Sequence, residues 1–126
     1  MKTYVIAEIG INHNGDMDLA KELILKAKVS GCDAVKFQKR DIESVYTQEE
    51  LDTPRESPFG TTTREQKNGI EFNIEQYKEL QEYSKEHSLD FIVSCWDSKS
   101  LDLVEEHIEV KYHKVASAMA TDKEFL

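Results

Sequence analysis

The sequence of 126 residues predicts an α/β fold in which parallel strands alternate with helices. Two observations predict it: short apolar strands alternate with amphipathic segments of helical period, and each strand ends on polar side chains. Polar strand ends are typical of the active-site rim of an α/β barrel. The chain has roughly half of the ~250 residues that a closed eight-stranded barrel needs. Either the sheet is open, or the chain belongs to a longer protein.

The first β/α unit begins with a strand predicted over residues 3–8. Asp16 is expected to cap the following helix, whose apolar residues recur at the i, i+3, i+4, i+7 spacing of one helix face. Gly31 is expected to end that helix in the left-handed conformation. A second strand is predicted over residues 33–38. Because the strands are joined through a helix, we expect them to be parallel neighbours.

The stretch 39–72 is much longer than the ~2 to 6 residues of an ordinary βα connection. Thr47 and Glu50 have the spacing of a capping box, which predicts one short helix inside it. Arg55 and Arg64 flank a segment rich in turn-forming residues. These arginines can bind either an anionic ligand or nearby glutamates, and the sequence leaves both interpretations open.

A second long helix is predicted from Asn73 to about residue 87. Asn73 and Gln76 have capping-box spacing, and Phe72 and Tyr77 occupy the positions of a hydrophobic staple. A third strand is predicted directly after it, over residues 89–94. The start of this helix is therefore specified by local chemistry alone.

The last part of the chain repeats the alternation once more. A third long helix, capped by Asp97 or Ser98, is predicted to lead to a fourth strand over residues 112–116. Thr121 and Glu124 have capping-box spacing and predict the first turn of a fourth long helix. One turn cannot sustain itself, because nucleation fixes several dihedral angles for a single hydrogen bond. We therefore expect the chain to be the amino-terminal half of a longer protein.

Composition narrows the range of partners. The formal charge of −9, from 25 acidic and 16 basic residues, argues against a nucleic-acid partner, whose phosphates require a basic face. No run approaches the ~18 apolar residues of a membrane span, and no secretory segment is recognisable, so a cytoplasmic protein without a membrane partner is expected. Cys32 and Cys95 have no metal-binding spacing and are too few for a disulfide framework, so both are expected to be small buried residues.

Polar residues at the strand ends form the candidate site. Strand alternation places Glu8, Lys36 and Ser94 on defined faces, which share one cavity if those faces point into a barrel. Lys114 and Ser117 close the fourth strand. A buried lysine needs an acid or a bound anion, and Glu8 can neutralise only one of two lysines. The set predicts a small phosphorylated or carboxylated substrate with the serines as hydroxyl donors, and plain intramolecular ion pairs are the alternative.

His13 follows the first strand and is a candidate general acid or metal ligand. Metal hydrolases of this architecture would pair two ligands as His-x-His, and Asn12 with His13 breaks that spacing. A metal site at this position is therefore not favoured.

Four segments resemble the sialic acid synthase family, also called N-acetylneuraminate synthases, with its legionaminic and pseudaminic acid relatives. They are AEIGINHNGD at 7–16, VKFQK at 35–39, SCWD at 94–97 and YHKVAS at 112–117. The resemblance implies a (β/α)8 TIM barrel, of which residues 1–126 supply about the first four β/α units. It also implies a small antifreeze-like domain further along the full-length protein, which reaches into a partner's active site in a homodimer.

The resemblance further implies a reaction. Phosphoenolpyruvate would condense with the open-chain aldehyde of an N-acylated amino sugar, giving a nine-carbon 2-keto acid and releasing phosphate. Glu8 would hold or protonate the aldehyde oxygen, and Gln38 would contact the sugar. The residues expected to bind the carboxylate and phosphate of phosphoenolpyruvate are Lys36, Lys114, Ser94 and Ser117. A divalent metal, commonly manganese, would be held by two histidines outside this chain, so no metal ligand is assigned here.

Two alternatives remain open at the level of sequence. One is a non-catalytic half-barrel that binds an anion or assembles with a second polypeptide. The other is an unrelated barrel aldolase in which Lys114 forms a Schiff base with a carbonyl substrate.

Overall fold

The computed structural model describes residues 1–126 throughout. The elements follow in the order β1 (Ile6–Gly10), α1 (Met17–Val29), β2 (Ala34–Lys39), α2 (Ile42–Val45), α3 (Gln48–Asp52), β3 (Pro54–Ser57), β4 (Gly60–Thr62), α4 (Thr63–Ile70), α5 (Ile74–Glu86), β5 (Asp90–Cys95), α6 (Ser98–His107), β6 (Lys114–Val115) and a 3₁₀ helix (Ser117–Met119). None of the helices combines the length and the apolar composition needed to cross a membrane.

Four strands form one parallel sheet in the order β1-β2-β5-β6, and β3 and β4 form a separate antiparallel hairpin. The helices α1, α5 and α6 connect the parallel strands, as the requirement for a crossover between parallel neighbours dictates. The predicted α/β class and the parallel order of the four strands are confirmed.

The hydrophobic core lies between one face of the sheet and the helices α1, α5 and α6. Alternate residues of β2 and β5 supply its sheet side, and they are fully or almost fully buried: Val35, Phe37, Phe91, Val93 and Cys95. Apolar side chains of the helices cover them, among them Ile24, Leu80 and Val104. Because strand residues alternate between faces, the intervening residues of β2 and β5 point to the opposite side of the sheet.

The helix caps form as local chemistry predicts. Asp16 accepts hydrogen bonds from the backbone N–H groups of Asp18 and Leu19, and Gly31 has a φ of +85°. The capping box of Asn73 is complete in the structure. Asp97, one of the two residues proposed, caps α6.

The strand boundaries differ from those expected. The first strand occupies Ile6–Gly10 rather than residues 3–8. Its start shifts because Val5 exchanges hydrogen bonds with Asp33 outside the ladder: Val5 N donates to Asp33 Oδ2 and Asp33 N donates to Val5 O, each at 2.8 Å. The fourth strand narrows to Lys114–Val115, and the second and third strands each lie one residue later than predicted.

The long connection 39–72 is built of regular elements. The helix predicted from Thr47 and Glu50 is confirmed as α3, with both capping-box hydrogen bonds. Sequence analysis missed α2, the hairpin and α4, although Thr62 and Glu65 at the start of α4 have the same capping-box spacing. Arg64 binds three side chains of the same connection, Glu43 at 3.0 Å, Asp52 at 2.5 Å and Gln48 at 2.7 Å. For Arg64 the intramolecular interpretation is therefore the correct one.

The capping residue predicted from Thr121 and Glu124 lies one position later, where Leu126 N donates to Asp122 O at 3.1 Å. Asp122 takes the capping role instead, because its Oδ1 accepts hydrogen bonds from the backbone N–H groups of Glu124 and Phe125 at 3.1 Å. The carboxylate of Asp122 thus takes the Glu124 N–H that the predicted capping box assigned to Thr121.

Candidate functional site

The strand register brings the predicted residues to one face of the sheet. Glu8 of β1 pairs with Lys36 of β2. Two residues further along β2, Gln38 pairs with Ser94 of β5. Ser94 in turn pairs with Lys114 of β6. Paired residues of parallel strands point to the same side. All five therefore lie on the face opposite the hydrophobic core.

Glu8 and Lys36 form a direct ion pair. Lys36 Nζ lies 2.6 Å from Glu8 Oε2, and the lysine side chain is only 16% exposed whereas that of Glu8 is 48% exposed. A lysine with so little access to water needs a carboxylate beside it. Lys114 is exposed and takes part in none of the chain's ion pairs. One lysine is thus neutralised within the chain and one positive charge is available to an anion.

A small space above Gly10 is flanked by the side chains of Glu8 and Gln38. Gly10 has a φ of +58°, and a Cβ atom placed on it would lie 3.2 Å from Glu8 Oε1 and 3.4 Å from Gln38 Nε2. The absence of a side chain at this position lets a carboxylate oxygen and an amide nitrogen face the same point. A hydroxyl group of a ligand, which can both donate and accept, matches an acceptor and a donor placed in this way.

Gln38 is itself held by residues that sequence analysis did not select. Arg40 donates from Nη2 to Gln38 Oε1 at 2.7 Å and from Nη1 to the hydroxyl of Tyr46 at 2.8 Å. Its guanidinium carbon lies 4.1 Å from the centre of the Trp96 ring. Arg40 was recognisable in the sequence only as the second residue after Gln38, because Tyr46 and Trp96 reach it through the fold.

The serines differ in their placement. Ser94 is 2% exposed and lies between Gln38 and Lys114 in the register. Ser117 opens the 3₁₀ helix beyond β6, is exposed, and has no side-chain hydrogen bond with the rest of the chain. The structure thus brings Glu8, Lys36 and Gln38 into contact range, aligns Ser94 and Lys114 beside them, and leaves Ser117 at the rim.

His13 is a structural residue of the loop between β1 and α1. It is 1% exposed, its ring stacks on Phe72 with centroids 4.0 Å apart, and its Nδ1 accepts a hydrogen bond from Gly15 N at 3.0 Å. Burial lowers the pKa of His13 to about 4, so the ring is neutral near pH 7. A buried neutral imidazole stacked on an aromatic ring does not suit a general acid.

Comparisons with known proteins identify the family of this chain. The sequence model of the NeuB family matches residues 23–126. The chain belongs to the NeuB family. It is 40% identical over 116 residues to the N-acetylneuraminate-9-phosphate synthase of Mus musculus, covering 90% of this chain and 32% of that protein. It is 36% identical over 129 residues to the N,N'-diacetyllegionaminic acid synthase of Legionella pneumophila, covering 100% of this chain and 36% of that protein.

Solved structures show the same relationship. The N-acetylneuraminic acid synthetase of Leptospira borgpetersenii, crystallised with citrate, superimposes with a TM-score of 0.76 at 26% identity, over 94% of this chain and 38% of that one. The chain therefore spans about a third of the length of its NeuB relatives and corresponds to the amino-terminal part of their α/β barrel.

The residues of this chain do not build a metal centre. No group of three or more histidine, cysteine, aspartate or glutamate side chains lies close enough to hold one ion. Glu8 is paired with Lys36, and His13 is buried against Phe72. Cys95 is buried, which raises the pKa of its thiol to about 12 and keeps it protonated, and Cys32 is half-buried and unpaired. No chemical step is therefore assigned to a metal held by these residues.

A buried polar cluster supports the site from the helix side of β2. Lys39 is 7% exposed, with Nζ 3.5 Å from the carbonyl oxygen of Phe72 and 5.3 Å from the centre of the Tyr77 ring. Arg40 N lies 3.4 Å from Glu71 Oε2. Burial raises the pKa of Glu71 to about 7, although the charges of Lys39 and Arg40 oppose the shift.

The variant Glu71→Gln is expected to change how stability depends on pH. Burial raises the pKa of Glu71 from 4.5 to about 7, so the folded state favours the protonated carboxyl group. The contribution of Glu71 to the free energy of unfolding is therefore fully present below pH 4.5 and is lost as the pH rises through about 7. The stability of the wild type relative to the variant should therefore fall by at most about 3 kcal/mol from pH 4.5 to about pH 8. Urea unfolding of the full-length protein across this range measures it. Glu75→Gln, an exposed change on α5, is the control, and parallel curves for wild type and Glu71→Gln would contradict the expectation.

Proposed function

We propose that the full-length protein containing this chain condenses phosphoenolpyruvate with the aldehyde of an N-acylated amino sugar, forming a nine-carbon 2-keto acid and releasing phosphate. The relatives of the chain are synthases of sugar acids, which supports the general class of reaction. The observation that carries the proposal is the joint placement of the ion-paired Glu8 and Lys36 with Lys114, which has no ion pair, on the face of the sheet opposite the hydrophobic core.

The charges of the site suit the anionic substrate. Phosphoenolpyruvate carries a carboxylate and a phosphate, and Lys36 and Lys114 lie on adjacent strand levels of the same face. Ser94 between them, and Ser117 at the rim, can donate hydroxyl hydrogen bonds to the same oxygens. Preorganised cations and donors of this kind stabilise charge as it develops in the transition state.

The sugar end fits the space above Gly10. Glu8 Oε1 faces this space, and in its protonated form the carboxyl group would donate a hydrogen bond to the aldehyde oxygen and supply the proton that the new hydroxyl group requires. Gln38 Nε2 would donate to a second oxygen of the sugar. These two side chains would thus orient the carbonyl carbon toward the enol.

The proposed steps balance without a redox partner. Carbon three of the enol forms a bond to the aldehyde carbon, whose oxygen takes up a proton and becomes a hydroxyl. Water then adds to the cationic carbon two and loses one proton, which leaves a hydroxyl there. As the bond from carbon two to the phosphate oxygen breaks, that hydroxyl gives its proton to the departing phosphate and carbon two becomes the ketone. A divalent cation, commonly manganese, would polarise the aldehyde when bound to residues outside this chain. We also propose that the full-length protein is a homodimer and that it is cytoplasmic.

The test uses the full-length gene product. Incubation with phosphoenolpyruvate, manganese and a panel of N-acylated amino sugars should release phosphate only when an accepted sugar is present. Release that is independent of sugar would contradict the condensation. A borohydride-trapped adduct of pyruvate on Lys114 would instead favour the Schiff-base aldolase.

A further inference from the structure

The amide group of Gln38 has a defined orientation. Its Oε1 accepts the Nη2 hydrogen bond of Arg40 at 2.7 Å, and its Nε2 lies on the side of Gly10 and Glu8. A guanidinium has only donors, so the oxygen of the amide must be the atom that faces Arg40. The nitrogen is therefore the atom that faces the ligand space.

We infer that Arg40 is a positioning residue that fixes the Gln38 amide so that the site presents a donor beside the Glu8 carboxylate, and thereby selects a hydroxyl group of the sugar. The inference rests on the proposed function, because it concerns the sugar end of that site. A hydroxyl can donate to Glu8 Oε1 and accept from Gln38 Nε2 at the same time. With the amide reversed, two acceptors would face each other and this group would lose one of its hydrogen bonds.

Arg40 is suited to this role because several contacts restrain it. Its guanidinium lies 4.1 Å from the centre of the Trp96 ring, and its Nη1 donates to the hydroxyl of Tyr46 at 2.8 Å. The planar guanidinium can stack on the ring while it donates in two directions, whereas the ammonium group of a lysine cannot keep this geometry. The arrangement thus requires the planar guanidinium of an arginine, and a positive charge alone is not sufficient.

Arg40 also links the long connection 39–72 to the sugar end of the site. Tyr46 follows α2, and its ring lies 5.5 Å from Lys67 Nζ of α4. Arg40 is the residue through which Tyr46 reaches Gln38. A change at Tyr46 should therefore affect sugar binding through Arg40, without contact with phosphoenolpyruvate.

The kinetic test compares Arg40→Lys and Arg40→Met in the full-length protein. Both should raise KM for the sugar about tenfold, as expected for one lost charge-assisted hydrogen bond, and leave KM for phosphoenolpyruvate unchanged. In a Gln38→Ala background, Arg40→Met should have no further effect, because nothing remains to be positioned. Equal changes in both KM values, or full additivity with Gln38→Ala, would overturn the inference.

The control is Arg64→Met, another arginine of the connection whose three partners are Glu43, Asp52 and Gln48. It should leave both KM values unchanged even if the variant is less stable. A rise in KM for the sugar as large as that of Arg40→Met would show that general loosening of the connection is responsible, and would overturn the inference.

A second measurement separates this inference from the proposed function. The side-chain amide resonances of Gln38, identified by their loss in Gln38→Ala, should shift in Arg40→Met and stay in place in Arg64→Met. This readout needs no turnover. Unchanged resonances in Arg40→Met would overturn the positioning role, whereas a wild type without sugar-dependent phosphate release would contradict only the proposed function.

Discussion

Replacing Lys36 with methionine is expected to lower kcat/KM for phosphoenolpyruvate by about 100- to 1,000-fold in the full-length protein. Lys36 is the one lysine of the site that is largely shielded from water and held by an acid at 2.6 Å. Methionine keeps most of the volume but removes the charge. It also leaves Glu8 as an uncompensated carboxylate on the face where the anionic substrate is proposed to bind. Two electrostatic changes thus act in the same unfavourable direction.

The control for this variant is Lys21→Met. Lys21 also forms an ion pair at 2.6 Å, with Glu79, between the surfaces of α1 and α5. Its replacement by methionine is the same chemical change at a position away from the site. Its kinetic constants should equal those of the wild type. Steady-state phosphate release at varied phosphoenolpyruvate measures both variants. A Lys36→Met enzyme within about threefold of the wild type would show that this ion pair has only a structural role.

The residues of the site could be predicted from the sequence to the extent that strand alternation determines them. Glu8, Lys36 and Ser94 each alternate with apolar residues of their strands, and the register places them on one face because parallel partners point the same way. The face was therefore predictable once the strands were recognised. The boundaries of the first strand were not predictable, because Val5 is hydrogen-bonded to Asp33, which lies 28 positions further along the chain.

The contacts that hold Gln38 could not be predicted from the sequence. Arg40 contacts Tyr46 of the long connection and Trp96, which follows β5. A local sequence pattern cannot indicate contacts between residues so far apart in the chain. The helix caps show the opposite case, because the capping boxes of α3 and α5 depend only on residues three positions apart. The same reasoning fails at Thr121, since Asp122 takes the Glu124 N–H instead.

The loop between β1 and α1 is pressed against the long connection at a pair of glycines. Gly15 has a φ of +75°, and a Cβ atom on it would lie 2.0 Å from the carbonyl oxygen of Gly69 in α4. Gly15 N also donates to His13 Nδ1, and the His13 ring stacks on Phe72. The close approach of two backbones therefore fixes the loop that directly follows Glu8 and Gly10.

The variant Gly15→Ala is expected to lower the free energy of unfolding by about 2 to 5 kcal/mol, the sum of ~1 to 2 for a left-handed alanine and ~1 to 3 for overpacking. The obstacle is a backbone oxygen, which cannot rotate away as a side chain can. Urea unfolding of the full-length protein measures the loss.

Gly31→Ala separates the two contributions to that loss. Gly31 has a φ of +85° but nothing lies within 4 Å of a Cβ atom placed on it, so this variant carries the conformational cost without the clash. It should lose only about 1 to 2 kcal/mol. The difference between the two variants then measures how firmly the backbone of α4 is held against the β1–α1 loop. Equal losses would mean that Gly69 moves aside at little cost, and the long connection would then be too loosely docked to support Arg40 and Gln38.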